Sequence, residues 1–203
     1  MNKNVWNHNY AYHNWIKKNI DNNSIVLDVG CGDGTLIFKI CKMCKKVYGI
    51  DTNINSIDIA RSNNRYDNVS FINDDFLKYN FGRIKFDNII FVASIHHMNM
   101  EDALIKAKNL LKKDGKIIIV GLSKPSSIID YVIEVLRIIP SFIISKIKEN
   151  KTSEEMDIET NYNFPNSDEV RNTCKKVLKR NYVIKYALHY RYLLLWNKKI
   201  LED

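Results

Sequence analysis

At 203 residues, 45% hydrophobic and 27% charged, the chain has the balance of an ordinary soluble globular protein, with room for one substantial α/β domain and a small insertion. Four cysteines in a chain of intracellular type give no disulfide framework. The formal net charge of +8 comes largely from lysine scattered through a sequence rich in Ile, Lys and Asn, the bias of an AT-rich coding sequence. No RNA-binding motif and no basic stripe interleaved with aromatic residues accompanies it, so composition does not favour a nucleic-acid partner.

The first residues, Met1 to Tyr10, are rich in Asn and aromatic side chains and carry no secretory pattern, so a cytoplasmic location is expected. Trp6 to Trp15 cluster aromatics and histidines ahead of Ile25–Val29, a short β-branched apolar run that reads as a buried strand. That strand breaks into Gly30, Gly32 and Gly34, a turn that lets another molecule approach the main chain, with Asp28 near its carboxyl end. Residues 34–46 show helical periodicity with lysines at the end, and residues 47–51 form a second strand ending in Asp51. A helix over 55–65 and a strand over 69–72 follow, the strand leading into Asn73-Asp74-Asp75-Phe76.

Residues 86–93 are almost wholly apolar and predict a central strand. Ser94-Ile95-His96-His97-Met98 follows it directly. An amphipathic helix over 101–111, a Lys112–Gly115 turn and a buried strand over 116–122 complete a βαβαβ rhythm, which argues a doubly wound parallel sheet. Residues 123–160 read as an insertion whose run 128–147, broken by Pro140 and studded with charges, suits two amphipathic helices better than a membrane span. Ser167 is the expected cap of a helix over 168–179, and strands over 182–188 and 190–197 would close the chain as an antiparallel hairpin.

The glycine spacing narrows the ligand. A dinucleotide fingerprint, G-x-G-x-x-G, would put its third glycine where Thr35 stands; here Gly34 comes one residue early. An acidic residue followed by G-x-G-x-G resembles motif I of the class I S-adenosylmethionine (SAM)-dependent methyltransferases, and the likeness covers residues 24–122 strongly and 167–199 less so. It implies a Rossmann-like, seven-stranded, mostly parallel sheet with a C-terminal antiparallel hairpin. The chain would be a single domain, with residues 1–23 as an N-terminal lid or helix and 123–160 as a helical cap. The cofactor implied is SAM, with S-adenosylhomocysteine as product.

By the same resemblance, Asp51 would accept the ribose hydroxyls and Asp75 the adenine amine, with Asp74 as competitor, while Phe76 offers a backbone amide and an apolar wall. Thr52 flanks the ribose. Gly30, Cys31 and Gly32 would approach the methionine part, Asp28 would act on its amino group, and the carbonyl of Val92 could join it. Small-molecule methyltransferases often carry a His-His pair after the fourth strand. His97, with His96 second, is thus the expected general base or acceptor contact, the bland alternative being packing. Tyr10, Tyr12 and His13 are the candidate lid residues, unless they only pack on the sheet. No metal site is expected, since adjacent histidines lack a third ligand and Cys41-x-x-Cys44 lacks a partner pair.

The function expected is methyl transfer to a small molecule. An RNA methyltransferase, or a SAM-binding regulator or scaffold without turnover, is the alternative, and the cap would serve substrate binding or a homodimer contact, interfacial membrane binding being weaker.

Overall fold

The computed structural model describes residues 12–124, 164–187 and 191–198. Its seven strands are β1 (Ile25–Val29), β2 (Lys46–Asp51), β3 (Val69–Asn73), β4 (Phe86–Val92), β5 (Leu111–Leu122), β6 (Tyr182–Ala187) and β7 (Arg191–Asn197). They form one sheet in the order β3-β2-β1-β4-β5-β7-β6. The first five strands run parallel, β7 is antiparallel to β5, and β6 is antiparallel to β7. The fold is therefore the expected one, a Rossmann-like α/β sheet with a C-terminal antiparallel pair. Chain order reverses between β1 and β4, and open α/β sheets bind ligands at the carboxyl ends of the strands beside such a reversal.

Five helices accompany the sheet in the described residues: α1 (His13–Asn19), α2 (Thr35–Ile40), α3 (Ile54–Asn63), α4 (Met100–Leu110) and α5 (Ser167–Val177). The period-two alternation of buried strands assigns them to faces. Val26, Ile90, Ile118 and Val120 pack with Ile16, Ile37, Ile40 and Ile57 of α1 to α3. Leu27, Val29, Ile89, Phe91, Ile117 and Ile119 point the other way, against Leu104 and Ala107 of α4 and Val170 and Cys174 of α5. Asparagines cap the longer helices: Asn53 Oδ1 accepts from Ser56 N (3.1 Å) and Asn99 Oδ1 from Asp102 N (3.1 Å).

Three boundaries depart from the periodicity. The helix expected over 34–46 stops at Ile40 and continues only as a 3-10 turn, Cys41–Met43. Asn68 Nδ2 donates to the carbonyls of Cys41 and Cys44, both at 2.9 Å, which satisfies the helix end and releases Lys46 into β2. The cap of α5 is Asn166, not Ser167: its side chain accepts from Glu169 N, and Glu169 answers the Asn166 N–H, both at 2.8 Å. The turn Lys112–Gly115 is an irregular opening of β5, where pairing jumps from Phe86–Leu111 to Asn88–Lys116 and Asp114 takes φ +56°. Tyr10 and all but Ser123 and Lys124 of the expected cap, 123–160, lie outside the described residues.

Candidate cofactor and acceptor site

The glycine turn is built by the ends of β1, β2 and β4. Gly30 N and Cys31 N donate to Ile50 O at 2.8 and 3.2 Å, pulling the turn over the end of β2. Gly30 has φ +73°, and a Cβ built there would stand 2.3 Å from Ser94 Cβ. Ser94 follows β4, fills that space, and donates its hydroxyl to Val29 O at 2.5 Å. Only glycine meets both the backbone conformation and the contact. Gly30→Ala is expected to cost about 1–3 kcal/mol of stability, read as a lowered midpoint in thermal unfolding; an unchanged midpoint would show that the turn relaxes freely.

Asp51 closes β2 with its carboxylate already oriented. Gly32 N donates to Oδ2 at 2.8 Å and Asn53 N to Oδ1 at 2.9 Å, so each oxygen keeps a lone pair for a further donor. Asn73, at the end of β3, ties its Nδ2 to the carbonyls of Asp51 and Thr52, both at 3.0 Å. Thr52 is exposed beside them.

Asp28 lies one strand away and differs in kind. It is 2% exposed, and its Oδ1 has no hydrogen-bond partner among the described residues. Burial first, then the Asp51 charge, raises its pKa to about 7. A buried carboxylate with one oxygen that has no partner among the described residues, beside a glycine turn, is suited to a cation, which would both desolvate with it and neutralise it. Burial also pushes the thiol of Cys31 well up, so it stays neutral there.

Asp75 and Asp74 sit at the next strand end. Asp75 Oδ1 accepts from Leu77 N at 2.7 Å and its carbonyl takes Lys78 N and Tyr79 N, so it starts a tight turn. Asp74 is exposed, with Oδ1 on Asp75 N at 2.7 Å. The Phe76 ring is 3% exposed and packs edge-on against Phe91 at 5.6 Å, within the core. Its ring is committed to packing, which leaves the backbone as what Phe76 presents to a ligand. Val92 is half-buried at the end of β4.

His96 and His97 occupy a 3-10 turn, Ile95–His97, with rings 4.1 Å apart. The structure separates them. His96 lines a cavity of about 300 Å³ with Ile95, Met98, Met100, Phe164, Pro165 and Glu169, its ring edge-on to Phe164 at 5.0 Å. His97 is exposed and is not among the lining residues. Burial first, then His97 and Arg191, lowers the His96 pKa to about 4, so its ring is neutral at physiological pH. Phe164 and Arg191 carried no signal in the sequence: each acts through contacts between segments far apart in the chain.

Of the lid residues, Tyr12 lies with its ring 6.0 Å from the Arg191 guanidinium at the start of β7. His13 is 7% exposed, with Nδ1 2.9 Å from Lys39 Nζ on α2. Burial, then Lys39, lowers its pKa to about 4, so the neutral ring accepts from the ammonium. That contact packs α1 on α2. Among the described residues there is no group of three or more His, Cys, Asp or Glu placed to hold a metal ion, and no helix is long and apolar enough to cross a membrane.

The structure brings together a reversal in strand order, a glycine turn over it and acidic residues at three successive strand ends, the place where open α/β sheets bind ligands. Residues 26–115 match the sequence model of the methyltransferase-domain family.

Among curated relatives, an uncharacterized methyltransferase of Anoxybacillus flavithermus is 32% identical over 98 residues, covering 47% of this chain and 45% of that protein. A ubiquinone biosynthesis O-methyltransferase of Pelagibacter ubique is 32% identical over 104 residues, 49% of this chain and 42% of its own. The chain thus spans less than half the length of these two relatives. In solved structures, the plantazolicin methyltransferase BpumL, in complex with S-adenosylhomocysteine, superposes with a TM-score of 0.64 at 16% identity, over 95% of this chain and 82% of that one. At that identity the likeness establishes the fold.

Proposed function

We propose that the chain is a SAM-dependent methyltransferase acting on a small-molecule acceptor. The observation that carries the donor reading is Asp28: a carboxylate 2% exposed, with an oxygen that has no partner among the described residues, near the end of β1 beside the glycine turn and Asp51. SAM presents an ammonium for Asp28, ribose hydroxyls for the two oriented oxygens of Asp51, and an adenine amine for Asp75, with Thr52, Val92 and the Phe76 backbone bordering it. Gly30, Cys31 and Gly32 supply backbone beside the methionine part. When bound, SAM supplies an electrophilic methyl group on a sulfonium.

This chain's part is then positioning and exclusion of water. The acceptor reading rests on the cavity at His96. Its wall combines the side chains of Ile95, Met98, Met100 and Phe164 with the polar groups of His96 and Glu169, and its size suits a small molecule. His96, neutral at physiological pH, can accept a proton from the acceptor or hold it by a hydrogen bond. His97, exposed beside it, is the second candidate, and Tyr12 and His13 hold the N-terminal helix near the same edge. One relative is in keeping with a small-molecule acceptor, since the Pelagibacter protein bears the name of a ubiquinone biosynthesis O-methyltransferase.

His96→Ala is expected to leave SAM affinity within about twofold and to lower turnover by about 10²–10⁴-fold, the range of general acid–base contributions. His97→Ala is expected to lower it less. Transfer of label from methyl-labelled SAM into a metabolite pool, fractionated by mass, measures both. Equal turnover in wild type and His96→Ala would remove His96 from the reaction.

A further inference from the structure

The segment between β3 and β4, residues 74–85, carries Asp75 and Phe76 without a helix or strand of its own. Its backbone is tied mostly to itself. Lys78 N and Tyr79 N donate to Asp75 O at 3.1 and 2.8 Å, Leu77 N to Asp75 Oδ1 at 2.7 Å, and Ile84 N to Phe81 O at 3.1 Å. Aromatic packing fastens the segment to the core: Phe76 lies edge-on to Phe91 at 5.6 Å, and Phe81 edge-on to Phe86 at 5.4 Å. Apolar packing is non-directional. It holds the rings down without deciding where the peptide groups of the turn point.

That falls to Lys106, near the middle of α4. Its Nζ donates to Leu77 O at 3.0 Å and to Tyr79 O at 2.7 Å. It also stands 5.5 Å from the centre of the Phe76 ring and 5.8 Å from that of Phe81. Among the described residues, these are the hydrogen bonds that reach residues 75–84 from another element. An ammonium has three donors, so one side chain can serve both carbonyls at once.

A lysine in mid-helix is not placed to offset the helix dipole, which is felt in the last turn. Neighbouring lysines bond the ends of regular elements instead: Lys108 Nζ reaches Val177 O at the end of α5, and Lys198 Nζ reaches Lys108 O and Leu111 O. Lys106 is set apart because the backbone it holds belongs to the candidate donor site. Burial lowers its pKa, and the charges of Asp75 and Asp74 oppose that shift, which places both carboxylates within its field.

We propose that Lys106 is a positioning residue of the donor site: its ammonium, bonded to the carbonyls of Leu77 and Tyr79, fixes the turn that aims the Asp75 carboxylate and the Phe76 N–H at the adenine. Lys106 acts through these two groups, so its role rests on the reading of Asp75 and Phe76 as adenine contacts. Binding groups need to be held within about 0.5 Å of their productive placement, which a turn bonded only to itself does not ensure. Lys106→Met keeps the stem against the rings and removes the ammonium.

Isothermal titration of the full chain compares S-adenosylhomocysteine with its analogue bearing purine in place of adenine, which lacks the exocyclic amine. Wild type is expected to prefer the adenine form by at least about tenfold, because the analogue leaves the acceptor unpaired. Lys106→Met should weaken S-adenosylhomocysteine by about tenfold and the analogue by less than about threefold, so that the preference falls. In an Asp75→Ala background the same substitution should cost less than about threefold, since its route to the amine is gone. Thermal unfolding shows whether the variants fold. If Lys106→Met does not, Lys106→Gln, an uncharged amide of shorter reach, takes its place with the same fall in preference expected.

Equal losses for both ligands would mark a general loosening of the fold, and an unchanged preference would show that the turn holds without the ammonium. Either result, or an undiminished loss in the Asp75→Ala background, would overturn the proposal. If wild type has no preference, or Asp75→Ala leaves it intact, the adenine reading of Asp75 fails and the role of Lys106 falls with it.

Discussion

Asp51→Ala is expected to lose SAM affinity by at least about 100-fold in isothermal titration, with the chain still folded by circular dichroism. Two oxygens aimed by Gly32 N and Asn53 N each have a lone pair left, and hydrogen bonds to a charged group contribute about 1.5–3 kcal/mol apiece. On the proposed site the substitution removes both contacts to the ribose and also frees two backbone donors of the turn, so the loss exceeds that of a single bond. Asp51→Asn keeps one accepting oxygen and should fall between wild type and alanine. Unchanged affinity in Asp51→Ala would remove this residue, and with it the assignment of the strand ends, from the donor site.

Asp28 gives the second large effect, and its sign is fixed by the direction of its pKa. The folded value, about 7, lies above the usual 3.8, so the folded protein holds the extra proton between these values. The stability tied to that proton is fully present below about pH 4 and is lost as pH rises through about 7. At about 1.36 kcal/mol per unit, the ligand-free chain gives up as much as about 4 kcal/mol over that range. Asp28→Asn should abolish this slope and be more stable than wild type at pH 8.

Ligand binding runs the other way. An ammonium beside Asp28 favours the carboxylate, so SAM affinity should rise by up to about tenfold per unit between pH 6 and 7. It should level off near pH 8, where an α-amino group of pKa about 7.7–8.0 begins to lose its own proton. Denaturant titrations of the free chain and calorimetry with SAM at pH 6, 7 and 8 measure both halves. A flat affinity profile in wild type would separate Asp28 from the ammonium.

The parallel core was legible because its strands are continuous apolar runs punctuated by glycine and carboxylates, and each of those signals is local. Asp28, Gly30 and Asp51 could be named from the sequence for that reason. The departures have unlike causes, one non-local and one local. The early stop of α2 depends on Asn68, a side chain well downstream that caps it. The cap of α5 lies one residue before the serine expected, because the Asn166–Glu169 capping box places both partners in the first turn.

At the acceptor side the His-His pair was visible, but not which ring faces a cavity. That depends on Phe164 and Glu169, brought to His96 from beyond the insertion.

The central claim is that the turn at Gly30 and the acids at the strand ends hold SAM. Isothermal titration of the full chain with SAM, S-adenosylhomocysteine and NAD at pH 7.5 tests it most directly. The expected result is one saturable site for each of the first two ligands, tighter than about 1 mM, the upper end of ordinary substrate affinities, and no binding of NAD. Absence of saturable heat with SAM from a folded chain, or NAD bound in its place, would contradict it.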